Sequence, residues 1–415
     1  MSKALGGILV LDLTTEFWAS LGAAMLADFG ADVVRIVALP AARASRAGAA
    51  RREDALRSWD DARDDGEQPA PWNYRLELAN RNKLGVALDL DSESGRAVAR
   101  ELALKADVLL TDRPRAVLER HGLDYQTLAR LKPGLIYAQG SGFGPQGPDR
   151  DLPALDEIAA ARAGMMPILP QPGKPPVYPG HGQMYTAVML AFGVAAALHH
   201  RLRTGEGQEV DTSLLAGNMY GASLDLQAFL AIGGERFLHP IARLDAGNPM
   251  SGTMYRAEDG PWVTLTMPDT DRWWPYFAPL VGLDPSDPRF DSHDKRCGEN
   301  RLELMRVLED AFRRRPAAYW RDAFTERQLS ADVIEDYSHP AADEQVYRNR
   351  YILALDHPSL GPMKMLGFPI LMNESPARLY RTAPCLGQHS AEVLHELLGY
   401  SEDRITALKD EGAIA

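Results

Sequence analysis

The chain has 415 residues, 45% hydrophobic and 25% charged, with a formal net charge of −12. That length predicts two domains, the composition is that of a globular protein, and the acidic surplus argues against nucleic acid or an anionic membrane as a partner. Cys297 and Cys385 are the only cysteines; they form neither a metal-spaced pair nor a disulfide framework and are expected as reduced thiols in a cytoplasmic protein.

The opening "MSKALGGILVLDLTTEF" has an apolar run too short for a signal peptide, and it carries no cleavage site. "GILVLDLT" (Gly7 to Thr14) reads instead as a buried strand. "SLGAAMLADFGAD" predicts a helix stopped by Gly30, and "DVVRIVALP" (Asp32 to Pro40) a second strand ended by proline. This strand–helix–strand opening predicts a parallel sheet covered by helices. Ala41 to Ala70, rich in Ala, Arg and Asp, predicts a mobile surface excursion. "NRNKLGVALDLDSESGRAVARELALKADVLLTD" predicts strand, helix and strand, with Ser92 or Ser94 capping the helix. Two short helices follow, and "LIYAQGSGFGPQGP" (Leu135 to Pro148) predicts a strand running into a glycine-rich loop.

"ALDEIAAARAGMM" predicts a helix on which Asp156, Glu157 and Arg162 form a solvated face. The apolar part of "MYTAVMLAFGVAAALHH" (Met184 to His200) falls short of the roughly 20 residues that span a bilayer, so a buried helix is expected. "GQEVDTSLLAGNMYGASLDLQAFLA" predicts a strand and a helix. After Gly233 the texture changes. Two strands flank a Glu-Asp-Gly turn, and helices follow, with Trp273 and Trp274 expected in a core. The chain thus divides into a large α/β domain (1–235), a smaller α+β domain (245–330) and a return to the large domain (331–415). The return ends in two amphipathic helices capped at Ser390 and Ser401.

One stretch carries a chemical question. "PGHGQMYTA" (Pro179 to Ala187) is a glycine turn opening onto a long helix, a place suited to an anion or a reacting carboxylate. The side chain at its mouth is Gln183, a neutral and poorly nucleophilic amide. In "GSGFGPQG", Gly140, Gly142, Gly144 and Gly147 match neither a Walker loop nor a dinucleotide fingerprint; a loop lining a site with backbone N–H groups and an ordinary turn both stay open. His199 and His200 are adjacent and diverge around a helix, so no metal set is expected. No G-x-S-x-G occurs.

In their order, "LDLTTEFWASLGAAMLADFGADVVRI", "NRNKLGVALDL", "GSGFGPQGP", "AALHHRLRTGEGQEVD", "NPMSGTMYRAEDG" and "LGQHSAEVLHELLGYSEDRI" resemble the class III CoA-transferases, the CaiB/BaiF group, over nearly the whole chain. The resemblance implies a Rossmann-like large domain plus a smaller α+β domain, with two chains interlocked as a dimer. It implies transfer of coenzyme A from an acyl-CoA donor to a carboxylic acid, without a metal. In the family an aspartate at the start of the long apolar helix attacks the thioester, forms a mixed anhydride and becomes an aspartyl-CoA thioester, while glycine-loop N–H groups stabilise the oxyanions.

Matched without gaps from "RLRTGEGQ", that aspartate position falls on Gln183. Other family positions also depart: Glu16, Phe17 and Trp18 replace a small loop with a glutamine, Arg35, Ile36 and Val37 replace Lys-Val-Glu, and Thr111, Asp112 and Arg113 replace the CoA-touching Glu-Asn-Phe. Arg120 and Leu88 fit the phosphate-side and adenine-side positions. Phe17, Trp18, Leu88, Arg120, Gly140 and Gly142 are therefore the CoA-binding candidates. Leu155 stands where related racemases carry a histidine, so a two-base mechanism has neither partner. The chain resembles the aspartate-lacking subunit of a two-chain enzyme such as the one acting on benzylsuccinate in anaerobic aromatic degradation. Its expected partner is a homologous aspartate-bearing subunit. Phe17, Trp18 and Tyr185 would suit a bulky acid, and succinyl-CoA is a common family donor. Two alternatives stand beside this: a self-sufficient transferase using Asp156 or Glu157, and a non-catalytic acyl-CoA-binding protein.

Overall fold

The computed structural model describes residues 2–39, 73–234 and 238–415; the expected Ala41 to Ala70 excursion lies outside them. The described residues fall into two compact units. One comprises residues up to Met166, Tyr178–Leu230 and Arg350–Ala415; the other comprises Pro167–Val177 and Ala231–Asn349.

The first unit is built as strand–helix repeats. In chain order they are β1 (Leu9–Leu13), α1 (Phe17–Asp28), β2 (Asp32–Ala38), α2 (Tyr74–Asn80), β3 (Lys83–Leu88), α3 (Glu93–Lys105), β4 (Val108–Thr111), α4 (Arg115–His121), α5 (Tyr125–Leu131) and β5 (Ile136–Ser141). They continue with α6 (Asp156–Ala163), α7 (Gly182–Thr204), β6 (Glu209–Ser213), α8 (Leu214–Gly221) and α9 (Ser223–Ile232). The six strands form one sheet in the order β3-β2-β1-β4-β5-β6, with every neighbouring pair parallel. That is the doubly wound dinucleotide-fold order, with its switch point between β1 and β4.

Side-chain alternation explains the layering. Leu11, Leu13 and Leu109 point into one apolar layer with Val98, Leu102, Val393 and Leu394. Val10, Val108 and Leu110 point into the other with Leu21, Ala187, Leu190 and Val194. Both faces are covered, so the strands read as continuous apolar runs. α7 is long and apolar enough to cross a membrane by length and composition, yet it lays Ala187, Leu190, Val194, Ala197 and Leu198 into this second layer.

The chain's end returns to the same sheet. His389 and Gly85 exchange bonds, and Ala415 N–H donates to the Ala87 carbonyl. Ser92 caps α3 by accepting from Gly95 N–H, and Ser401 caps the last helix. Ser390 does not cap the helix it starts: its hydroxyl instead accepts from Ala87 N–H, and His389 occupies the cap position.

The second unit carries an antiparallel sheet of β7 (Ser251–Arg256), β8 (Trp262–Thr266) and β9 (Ala331–Ile334). It packs on Trp274, Phe277, Phe290, Phe312, Trp320 and Phe324. Trp274 is buried there and its indole N–H reaches the Pro285 carbonyl. Because β9 pairs with β8, the second unit runs past residue 330, and the chain rejoins the first unit at Arg350.

Candidate active site

Four consecutive residues, from the last of α2 to the first of β3, organise the first unit. Asn80 accepts from the Ser20 hydroxyl at 3.0 Å. Arg81 grips Asp28 through Nε and Nη2 and gives Nη1 to the Leu366 carbonyl at 2.6 Å. Asn82 sits at φ 66°, a conformation that asparagine tolerates better than most residues. Its amide oxygen accepts from Tyr380 and Arg381 N–H, while its nitrogen donates to Asp28 and the Arg378 carbonyl. Lys83 is fully buried and donates to Asp12 at 2.6 Å and to the Ser20 carbonyl at 2.7 Å. Burial pushes the Lys83 ammonium down to about 8 against the pull of Asp12.

Asp12 and Asp112 shape the switch point. Asp12 Oδ1 accepts from the Thr14 N–H and hydroxyl at 3.0 and 2.6 Å. Asp112, directly after β4, accepts from Thr15 N–H, the Thr15 hydroxyl and Glu16 N–H at 2.6–3.0 Å. Burial raises the Asp112 carboxyl, and these bonds oppose the shift. The amides of the β1–α1 turn, where a phosphate commonly sits in this topology, are therefore engaged by the chain's own carboxylate.

The sequence candidates separate between the two layers. Trp18 is buried on the α1 side and its indole packs against Gly140: a Cβ there would come within 2.3 Å of Trp18 Cη2. A Cβ on Gly142 would meet Ala154 at 2.7 Å. Both glycines thus serve close packing, and Gly144 and Gly147, with φ of 101° and 93°, make the turn. Phe17 opens α1 beneath the Arg75 guanidinium, 5.0 Å from the ring centroid. Leu88 is fully buried in the opposite layer, and Arg120 is exposed on the last turn of α4, whose Leu118 packs in that same layer. The structure does not bring these two to the Trp18–Gly140 contact.

At the start of α7, Gly180 has φ 70° and His181 provides no side-chain cap. Gln183 is half-buried on the first turn. α7 and α8 approach so closely that a Cβ on Gly182 would meet Asn218 Nδ2 at 2.0 Å, and one on Gly217 would meet Thr186 Oγ1 at 2.0 Å. Asp156, expected on a solvated face, is buried. Its Oδ2 accepts from the Tyr178 hydroxyl at 2.6 Å and its Oδ1 from Asn218 Nδ2 at 2.8 Å. Arg162 turns instead to Asp149 at 2.8 Å and lies over the Phe143 ring. Glu157 and Leu155 are exposed. Tyr178 and Asn218 escaped the sequence reading because they lie 22 and 62 residues from Asp156, beyond any local pattern. Among the described residues no group of three His, Cys, Asp or Glu side chains is placed to hold a metal.

A doubly wound sheet carrying a glycine turn that opens onto a long helix, buried on one face only with Val188, Phe192 and Leu202 exposed, defines an α/β scaffold suited to anionic ligands. Comparison with known proteins identifies which one. The family described as CoA-transferase family III matches residues 5–390, and the chain belongs to that family. It is 31% identical over 414 residues to the succinyl-CoA:mesaconate CoA-transferase of Haloarcula hispanica, covering 95% of this chain and 96% of that one. It is 28% identical over 410 residues to the cinnamoyl-CoA:phenyllactate CoA-transferase of Clostridium sporogenes, covering 98% and 96%. Among solved structures, a CAIB/BAIF family protein from Brucella suis superposes with a TM-score of 0.78 at 24% identity, covering 96% of this chain and all of that one. A hypothetical protein from Mycobacterium tuberculosis superposes with a TM-score of 0.75 at 25% identity, covering 94% and 99%.

Proposed function

We propose that this chain is the non-nucleophilic subunit of a class III CoA-transferase, moving coenzyme A from an acyl-CoA to a carboxylic acid only together with a homologous subunit that bears the aspartate. The observation that carries this reading is Gln183 on the first turn of α7. An amide cannot form the mixed anhydride that a carboxylate nucleophile forms. The scaffold around it is kept: a glycine turn, a close helix pair and a helix N-terminus of the kind suited to a developing oxyanion. Relatives named for phenyllactate and for mesaconate support a substituted carboxylic acid as acceptor, with benzylsuccinate a member of that class and succinyl-CoA as donor. The exposed aromatic side chain of Tyr185, two residues after Gln183, suits such an acid.

The second reading is a self-sufficient enzyme using Asp156. Both Asp156 oxygens already accept a hydrogen bond, which favours an anchoring role over nucleophilic attack. The substitution Gln183→Asp tests the first reading. The variant, incubated with succinyl-CoA and trapped with hydroxylamine, should yield an adduct at residue 183. A variant that folds and binds the CoA ester but forms no adduct contradicts the reading.

A further inference from the structure

Asp156 lies at the first position of α6, where it joins two segments distant in sequence. Tyr178 lies just before the Pro179–Gly182 turn, and Asn218 is pressed directly against Gly182 on the far side of it. The carboxylate thus holds both flanks of the turn that presents Gln183. Asn218 is itself oriented by a second bond, from Nδ2 to the Leu214 carbonyl at 2.9 Å. Gly182 leaves no slack on that side, since any side chain there would displace the Asn218 amide. On the other side, Gly180 at φ 70° gives the turn a conformation that glycine adopts without strain, so it must be held from outside.

We infer that Asp156 is a positioning residue: through Tyr178 and Asn218 it fixes the turn from which Gln183 and the first N–H groups of α7 project. Its role is to hold the oxyanion-binding end of the helix in register, and it does not touch the thioester. A carboxylate suits this task better than an amide, because it accepts on both oxygens at once. This rests on the assignment of Gln183 to the nucleophile position, and the test separates the two.

The experiment uses the full chain with Asp156→Asn and, as a milder change at a partly exposed side chain, Tyr178→Phe. Hydrogen exchange is read by mass spectrometry. The clamp predicts exchange faster by about tenfold in peptides spanning 178–186, the consequence of losing one buried hydrogen bond, with β4 and β5 unchanged. Unchanged exchange at 178–186 in both variants overturns the inference. So does a general loss of protection in Tyr178→Phe, which would mark a merely structural residue. In the Gln183→Asp background, each variant should slow adduct formation about tenfold while succinyl-CoA affinity stays within about twofold. An unaltered adduct rate in both overturns the positioning role. If Gln183→Asp forms no adduct at all, the nucleophile-position reading fails, and the exchange measurement alone decides the clamp.

Discussion

The indole of Trp18 occupies the space that a side chain at position 140 would need: a Cβ on Gly140 would lie 2.3 Å from Trp18 Cη2. Two residues picked from the sequence as CoA contacts are thus first of all each other's packing partners. Gly140→Val should cost about 1–3 kcal/mol by overpacking. Adding Trp18→Leu should return part of that loss, because the two sites share one volume. Urea denaturation of the two single variants and the double variant measures the coupling. Strict additivity would mean the contact carries no strain.

The Asp12–Lys83 pair is entirely enclosed, at 2.6 Å. Lys83→Met should destabilise the protein by about 3–5 kcal/mol by leaving a buried carboxylate uncompensated. Asp12→Asn combined with Lys83→Met should be milder than Lys83→Met alone. Chemical denaturation at neutral pH checks both.

Arg81 ties α1 to the returning C-terminal segment, holding Asp28 at 2.7 Å and the Leu366 carbonyl at 2.6 Å. Arg81→Ala should cost about 3–5 kcal/mol and expose residues 366–383 to protease before the sheet. Limited proteolysis read by mass spectrometry should show first cuts in that stretch.

Asp211 lies beside Arg115 at 2.7 Å, yet burial, aided by Glu209 and opposed by Arg115, raises its carboxyl to about 6. The unfolded value is about 3.9, so between these two values the folded state holds the extra proton. Asp211's contribution is therefore largest below the unfolded value and is lost as pH rises through about 6. The stability of the wild type relative to Asp211→Asn should fall from pH 4 to 6 and level off above. Denaturation midpoints across that range test the sign.

The strand–helix rhythm was legible because apolar runs with glycine and proline punctuation dictate it, and β1, α1 and β2 lie where those runs lie. The family was legible from six ordered stretches. The polar interior was not. Asp12 sits inside an apolar run that reads simply as a strand, and its partner Lys83 is 71 residues away. Ser390 resembles a cap by local pattern, but a strand 303 residues earlier claims its hydroxyl. Asp156 matched a solvated helix face by spacing, until tertiary packing brought Tyr178 and Asn218 to it. Each of these was decided by long-range hydrogen bonding, which local periodicity does not encode.

With Gln183 on the first turn of α7, this chain should carry no nucleophile of its own. The most direct measurement is the intact mass of the wild-type protein, purified alone and incubated with succinyl-CoA and hydroxylamine. The chain should stay unmodified and transfer no CoA to any added acid until a homologous aspartate-bearing subunit is supplied. Turnover by this chain alone, with an acyl or CoA adduct mapped to Asp156 or any other of its own carboxylates, would contradict it.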